Sequence, residues 1–380
     1  MRPPRVLFVG AFPPPGHAIF GGMVTSCRAL LASNLPRRVQ LDLLDSTQIS
    51  NPPPGLPMRA VLAAARFLRF VRRFETNRPD IVLLFVAVGA SIVEKGAMAR
   101  YARLRGVPVI MFPRGGSIVE DCRRSAFTRA WAGFFFRGAS RLICQAESWR
   151  QFALDTLGFA PGHVIVIRNW TATADLLAIG GQRPSAPPST LRVLFVGWVD
   201  RAKGVFELLE ACRQLIAGRR FTLALVGDGN AMAEARALVE RHGMTEYVHF
   251  RGWLDEPGLH RALLEADVFV LPSWAEGLPN AMVEAMAARL PVVVTRVGAV
   301  PELIEDHRSG LLIEPHNAES LRRALAAVLD DATLRERLAS EGQALATREF
   351  GVETAVDRIV GQIEGTIAAA RGGAPDNDRR

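Results

Sequence analysis

Short unbroken runs of Val, Ile, Leu and Phe recur along the chain, and the stretches between them carry apolar residues at helical spacing. The first run, RVLFVG, is followed by others at residues 39–44, 81–86, 107–112, 141–144 and 164–167. A second RVLFVG at residues 192–197 opens a further series at 222–226, 248–250, 268–271, 292–294 and 310–313. Runs that are apolar throughout suit strands covered on both faces, and strand–helix–strand repetition implies right-handed βαβ units in doubly wound parallel sheets. Both copies of the hexapeptide end in Gly, so the chain starts a Rossmann-like sheet twice. Between the halves lies GGQRPSAPPST, residues 180–190, a Gly/Pro/Ser-rich linker. This predicts an α/β protein with one domain over residues 1–180 and a second over 181–350. A last helix near 352–370 is expected to pack back on the first domain, and residues 371–380 read as a disordered tail.

Ligands of parallel sheets bind beyond the carboxyl ends of the strands, so candidate chemistry belongs in the loops that follow each run. The segment WAEGLPNAMVEAMAARL places Glu276 in such a loop and Glu284 about one turn into the next helix. Pro279 suits the first helical turn and Asn280 is a good cap; the free N–H groups there favour an anion such as phosphate. Ionised carboxylates accept hydroxyls and hold the vicinal diols of a sugar or ribose. The competing reading is a solvent-facing Glu284 and a Glu276 that only complements the helix dipole. FVGWVDRAKGVFELLEA repeats the layout, with Arg201 and Lys203 at a helix entry after Gly197, a pattern equally open to a diphosphate site or to ordinary surface cations. In the first half, Gly21 and Gly22 allow close approach of a ligand to the backbone. LVGDGNAM is only part of a GxGxxG pattern and reads as a tight turn. The sole DxD stands in the tail at Asp376, so no metal–diphosphate clamp is predicted and metal dependence is disfavoured.

Charge separates the halves. The net charge of the 380-residue chain is +8, yet residues 1–180 carry 23 Lys and Arg against 10 Asp and Glu, giving +13, and the rest carries −5. MRAVLAAARFLRFVRRF, residues 58–74, sets Arg59, Arg66 and Arg73 seven apart with Phe67, Phe70 and Phe74 at helical spacing. A basic amphipathic helix of this kind reads as a membrane-surface element, with a core-packing helix bearing a solvated arginine face as the alternative. Nucleic acid would also attract +13, but no RRM, KH or helix-turn-helix signature accompanies the charge. The longest apolar run, residues 81–93, is too short to span a bilayer, and no signal peptide is read at the N-terminus. Four scattered cysteines suggest neither a zinc site nor a disulfide framework, and a reduced cytoplasmic protein is expected.

Taken together, these segments resemble the retaining nucleotide-sugar glycosyltransferases of family 4. EGLPNAMVEAMA matches the E-x7-E motif of that family, and VDRAKGVFELLEA resembles its G-x5-K-G segment; the Gly21–Gly22 turn, FPRGGS at 112–117 and VTRVGAVPELIEDHRSGLLIEP extend the likeness over nearly the whole chain. The resemblance implies a GT-B fold, two facing Rossmann-like doubly wound parallel-sheet domains with a cleft between them. It implies that Glu284 binds the donor ribose, that Glu276 with Gly277, Leu278, Pro279 and Asn280 holds the transferred sugar, and that Lys203 binds the diphosphate. Leu254 and Asp255 would lie by the base; Gly22 and Gly197 would be on the donor path, and His17, Gly21 and Arg114 on the acceptor side. Catalysis would come from Glu276, Lys203 and Arg201 by positioning and leaving-group stabilisation, without metal or cofactor. The chain departs from the family pattern at Trp198, where Arg commonly follows the glycine and Arg201 would supply the second cation. It departs also at Arg114, where many relatives carry His, and at Asn169-Trp170, where Asn-Gly is usual. The expected partners are a UDP- or GDP-sugar, a lipid-linked or oligosaccharide acceptor and an anionic membrane surface on the inner face of the cytoplasmic membrane, with no nucleic acid. A nucleotide-sugar epimerase on the same fold and a non-catalytic nucleotide-sugar binder are the alternatives.

Overall fold

The computed structural model describes residues 2–13, 21–47, 54–115, 118–183 and 190–372. His17, Gly116, Ser117, most of the 180–190 segment and the tail from residue 373 lie outside the described residues. Contacts divide the chain into two units, one built on Met23–Arg168 with the N-terminal strand and the segment from Val352, the other on Asn169–Gly351.

The first unit contains strands β1 (Arg5–Gly10), β2 (Gln40–Asp45), β3 (Ile81–Val86), β4 (Val109–Pro113), β5 (Arg141–Cys144) and β6 (Val164–Val166). They form one sheet in the order β2-β1-β3-β4-β5-β6, parallel throughout. All six residues of β3, IVLLFV, are buried, which is why its sequence does not alternate. Phe8, Phe85 and Phe112 from three adjacent strands meet edge to face, with ring centroids 4.8 and 5.4 Å apart, and tie the middle of the sheet together.

The second unit contains β7 (Leu191–Val196), β8 (Phe221–Val226), β9 (Val248–Gly252), β10 (Val268–Leu271), β11 (Val292–Thr295) and β12 (Leu311–Ile313). Their order, β12-β11-β10-β7-β8-β9, is that of a Rossmann sheet, again parallel in every pair. The repeated RVLFV lies in β1 and β7, the strand from which each chain winds first one way and then the other. Each predicted strand is present within one or two residues of its expected ends. Among the described residues the four cysteines are free and buried, and no helix is long and apolar enough to cross a membrane.

Two features differ from the sequence expectations. The chain passes from one unit to the other between Arg168 and Asn169, upstream of the Pro-rich segment. The helix Ala174–Gly181 packs against the helices Glu256–Glu265, Asn280–Ala287 and Ala332–Glu349 of the second unit. Arg183 then fastens the segment by donating to the carbonyls of Ala288 (2.9 Å), Ala266 (2.7 Å) and Leu263 (2.6 Å). Composition marks that stretch as linker, but its hydrogen bonds make it part of the second unit.

The second difference is in the helix Leu56–Asn77. Its Phe70 and Phe74 are buried and, with Phe67, surround the Tyr101 ring at centroid distances of 5.5–6.2 Å. The phenylalanine stripe is therefore core, and the exposed face carries Leu68, Arg69 and Arg72 instead. Arg66 turns inward and grips the buried Glu94 through two bonds of 2.6 and 3.0 Å, while Lys95 Nζ lies 3.3 Å from the same carboxylate. Burial would raise the Glu94 pKa, but Arg66 and Lys95 hold it below the usual carboxylate range. The final helix, Val352–Gly372, belongs to this first unit: it buries Ile359 and Ile363, and Arg141 reaches Gln362 at 3.0 Å while Arg371 pairs with Asp80 at 2.9 Å.

Phe70→Ala should cost about 3–5 kcal/mol in urea unfolding, because a buried ring and its aromatic neighbours lose contact. Leu68→Ala on the same helix should change stability by no more than about 0.5 kcal/mol; equal losses at the two positions would contradict the placement of the helix.

Candidate functional site

The strand order of the second unit places the ends of β7 and β10 side by side, at the point where the chain winds away from them in opposite directions. Such switch points leave a crevice outside the carboxyl ends of the strands. Lys203 arrives there from β7 and Glu276 from β10.

On the β7 side, Gly197 donates its N–H to Val226 (3.0 Å), and Asp200 caps the single turn Arg201–Lys203 by accepting from the Lys203 N–H at 2.9 Å. Gly204 has φ +68, and a Cβ there would stand 2.0 Å from the Pro272 carbonyl. Only glycine lets the two strand-end segments run backbone against backbone at this point. On the β10 side, Gly298 has φ +56 and approaches Glu276 just as closely, while the Ala299 N–H donates to Gly277 at 2.8 Å. Lys203 Nζ and Glu276 Oε1 then meet at 2.5 Å, both side chains largely buried. Arg201 does not join them: it pairs with Glu234 and lies over the Phe206 ring, 4.5 Å from its centroid.

The helix bearing Glu284 spans Asn280–Ala287. Pro279 precedes it in extended conformation and no side chain caps it, so the expected placement of Pro279 in the first turn with Asn280 as cap is corrected by one position. The Asn280 side chain is buried and committed sideways, its Oδ1 accepting from Asn169 Nδ2 at 2.6 Å; the same Asn169 group donates to the Leu278 carbonyl at 2.6 Å. Glu284 is only 6% exposed, and its Oε1 makes no hydrogen bond to the protein among the described residues. Burial pushes its pKa up to about 7, with the charge of Glu256 adding to the effect. The segment expected beside the base thus lies within electrostatic reach of Glu284, although Asp255 itself caps the helix Glu256–Glu265 by accepting from Gly258 at 2.9 Å.

Gly21 has φ +146 and Gly22 opens the helix Gly22–Ala32; by their contacts both glycines group with the second unit, which corrects their expected place in the first. Arg114 follows β4; its N–H donates to Val86 at 2.7 Å, and its guanidinium bonds Ser26 on that helix and lies over Phe112 at 5.0 Å. Burial lowers its pKa to about 10, still far above neutrality. His17 lies outside the described residues.

Sequence reasoning gave no role at the second unit's site to six residues that the structure brings to it. Trp198 and Trp253 meet edge to face at 4.8 Å across the ends of β7 and β9, and Trp274 stacks on His316 at 4.3 Å. Asn169 and Gly298 hold the Glu276 loop from either side. A Gly-Trp pair following each of two strands was the one available sign of the first contact. Among the described residues, no group of three or more His, Cys, Asp and Glu side chains is arranged to hold a metal ion.

Comparison with known proteins agrees with this geometry. The family model described as "Glycosyl transferases group 1" matches residues 190–331, and "Glycosyl transferase 4-like domain" matches residues 24–170. The chain is 27% identical to the putative colanic acid biosynthesis glycosyltransferase WcaL of Salmonella typhimurium over 83% of its own length and 80% of that protein. It is 30% identical to the lipopolysaccharide core biosynthesis glycosyltransferase LpsE of Rhizobium meliloti over 59% and 64% of the two chains. Among solved structures, sucrose-phosphate synthase from Thermosynechococcus elongatus superposes with a TM-score of 0.75 at 20% identity, covering 97% of this chain and all of that one. Anabaena HepE, in complex with UDP and glucose, superposes with a TM-score of 0.71 at 20% identity over 95% and 100%. Two matched domain models, two parallel Rossmann-like sheets and these relatives place the chain among the GT-B glycosyltransferases of the family 4 type.

Proposed function

We propose that the protein transfers a sugar, with retention, from a UDP-sugar to a hydroxyl of a lipid-linked glycan during cell-surface polysaccharide assembly. The observation that carries this reading is the part-buried Lys203–Glu276 pair at the switch point, with the buried Glu284 on the helix that follows, its Oε1 without a hydrogen bond among the described residues. The names of the relatives support the polysaccharide setting, and the UDP and glucose bound to HepE support the donor class.

Each group has a task suited to its chemistry. Lys203 offers three N–H donors and a charge to the diphosphate, whose negative charge grows as the sugar–oxygen bond breaks. Glu276, released from Lys203, accepts from sugar hydroxyls, and Glu284 accepts from the ribose diol. The uncapped start of the helix Asn280–Ala287 adds positive backbone potential. The departing phosphate takes the proton of the acceptor hydroxyl, so no separate protein base, metal or cofactor is required. Arg201 serves as a second cation only if it leaves Glu234.

The acceptor is met by the first unit, which we place on an anionic membrane surface at the cytoplasmic face. Support comes from exposed apolar side chains standing among arginines: Leu68, 68% exposed, beside Arg69 and Arg72, and Phe127, 80% exposed, beside Arg123, Arg124 and Arg129. Clustered cations gain about 1 kcal/mol each near anionic lipid.

Lys203→Ala and Glu276→Ala should each reduce UDP release from the true donor at least about a hundredfold, since each removes charge complementarity and leaves its partner uncompensated. Retention of wild-type rates in either variant, with a panel of UDP-sugars and a lipid-diphosphate acceptor, would refute the site.

Glu284 sets a pH dependence. Its pKa is raised on folding, so the ligand-free fold binds more protons than the unfolded chain between about pH 4.5 and 7, and stability falls as pH rises through that window. The penalty above pH 7 is on the order of 3 kcal/mol. Glu284→Gln should therefore raise the melting temperature more at pH 8 than at pH 5. UDP affinity, which uses the ionised carboxylate, should rise from pH 6 to pH 8 in the wild type and stay flat in the variant.

Sedimentation with vesicles tests the membrane reading. Wild type should pellet with phosphatidylglycerol vesicles at low salt and less so at high salt, and Leu68→Ser with Phe127→Ser should weaken this severalfold. Equal binding to phosphatidylcholine vesicles, or none to either, would exclude an anionic membrane surface.

A further inference from the structure

Lys203 and Glu276 belong to segments more than seventy residues apart, and one side chain joins both. Trp274 stands two residues before Glu276, and its backbone N–H donates to the Ala202 carbonyl at 2.8 Å, next to Lys203. Its indole Nε1–H donates to Glu207 Oε1 at 3.1 Å, on the helix Val205–Ile216 that follows Lys203. Its ring stacks on His316 at 4.3 Å, and His316 itself is held at φ +56, a backbone region that non-glycine residues rarely occupy. Glu207 Oε2 is buried and makes no hydrogen bond to the protein among the described residues, so Trp274 is the partner this carboxylate is given.

We propose that Trp274 is a positioning residue: it locks the 202–204 segment to the 274–276 segment and thereby sets the separation of Lys203 from Glu276. The proposal rests on the donor-site reading above. The indole need not touch the donor. It acts through Glu207 and through His316, while the backbone bond from Trp274 to Ala202 fixes where the side chain starts and is common to every variant. A tryptophan serves here because one rigid side chain supplies both an N–H donor and a broad stacking face. Small displacements of groups that bind one ligand at two points weaken the binding of both points together. A residue that only stabilises the fold would lower the melting temperature and leave affinity for nucleotide unchanged.

The test uses wild type, Trp274→Phe, Trp274→Leu, Glu207→Gln and Glu207→Ala, titrated calorimetrically with UDP and UDP-glucose at a temperature where circular dichroism shows every variant folded. Trp274→Leu should weaken binding of both ligands about tenfold. Trp274→Phe and Glu207→Ala, which lose the N–H bond but keep an aromatic ring at 274 or the whole indole, should fall in between, and Glu207→Gln, whose amide oxygen still accepts the indole N–H, should remain near wild type. Wild-type dissociation constants in Trp274→Leu and Glu207→Ala would overturn the positioning role while leaving the donor site intact. If the wild type binds neither ligand, the UDP-sugar reading fails and this inference fails with it.

Discussion

The second unit is organised around one ion pair. Removing Lys203 and Glu276 from water is costly for each alone and tolerable only while they compensate each other. That compensation requires two chain segments to pass at backbone contact, which in turn requires glycine at 204 and 298, where any larger residue would strike a carbonyl. It also requires β7 and β10 to be neighbours, a consequence of the strand order and not of their sequence separation. The pair is thus a product of topology first and of side-chain chemistry second.

The same arrangement suits these groups to the donor role proposed above. On the proposed reading, an ammonium and a carboxylate already partly buried and held in place lose little further freedom when a diphosphate takes one and sugar hydroxyls the other. Glu284 differs: burial pushes its pKa up to about 7, so the carboxyl is about half protonated near neutrality until hydrogen-bond donors favour its ionised form. Two glutamates eight positions apart are thus held in opposite states, Glu276 by a cationic partner and Glu284 with none beside Oε1.

The strands were legible because a parallel sheet buried on both faces has no polar positions to disguise it; even β3, wholly apolar, announced its type by its length. The placement of Lys203 and Glu276 beyond strand ends, and of Glu284 in the helix that follows, was legible because the strands themselves were; their ligand roles rest on the proposal. Asn169, Trp198 and Trp253 were not, since their partners depend on which strands lie adjacent, and no local pattern records that. Arg201 was misjudged in direction because Glu234, on a helix far along the chain, decides where its guanidinium goes. The phenylalanines at 67, 70 and 74 showed helical spacing correctly, but periodicity alone does not say whether an apolar stripe faces a core or a lipid. Tyr101 and the Glu94 cluster settle that question from a different helix.

The buried cysteines have a practical consequence. Cys27, Cys144 and Cys212 sit in apolar surroundings that push their thiols up to about 12, so almost none of each is thiolate at neutral pH, and Cys122 is shifted in the same direction. Thiol-directed dyes and spin labels will therefore find the native chain nearly inert. A single cysteine introduced on the surface of either unit becomes a selective attachment point without first stripping the native ones, and a pair of them makes the distance between the units directly measurable in solution.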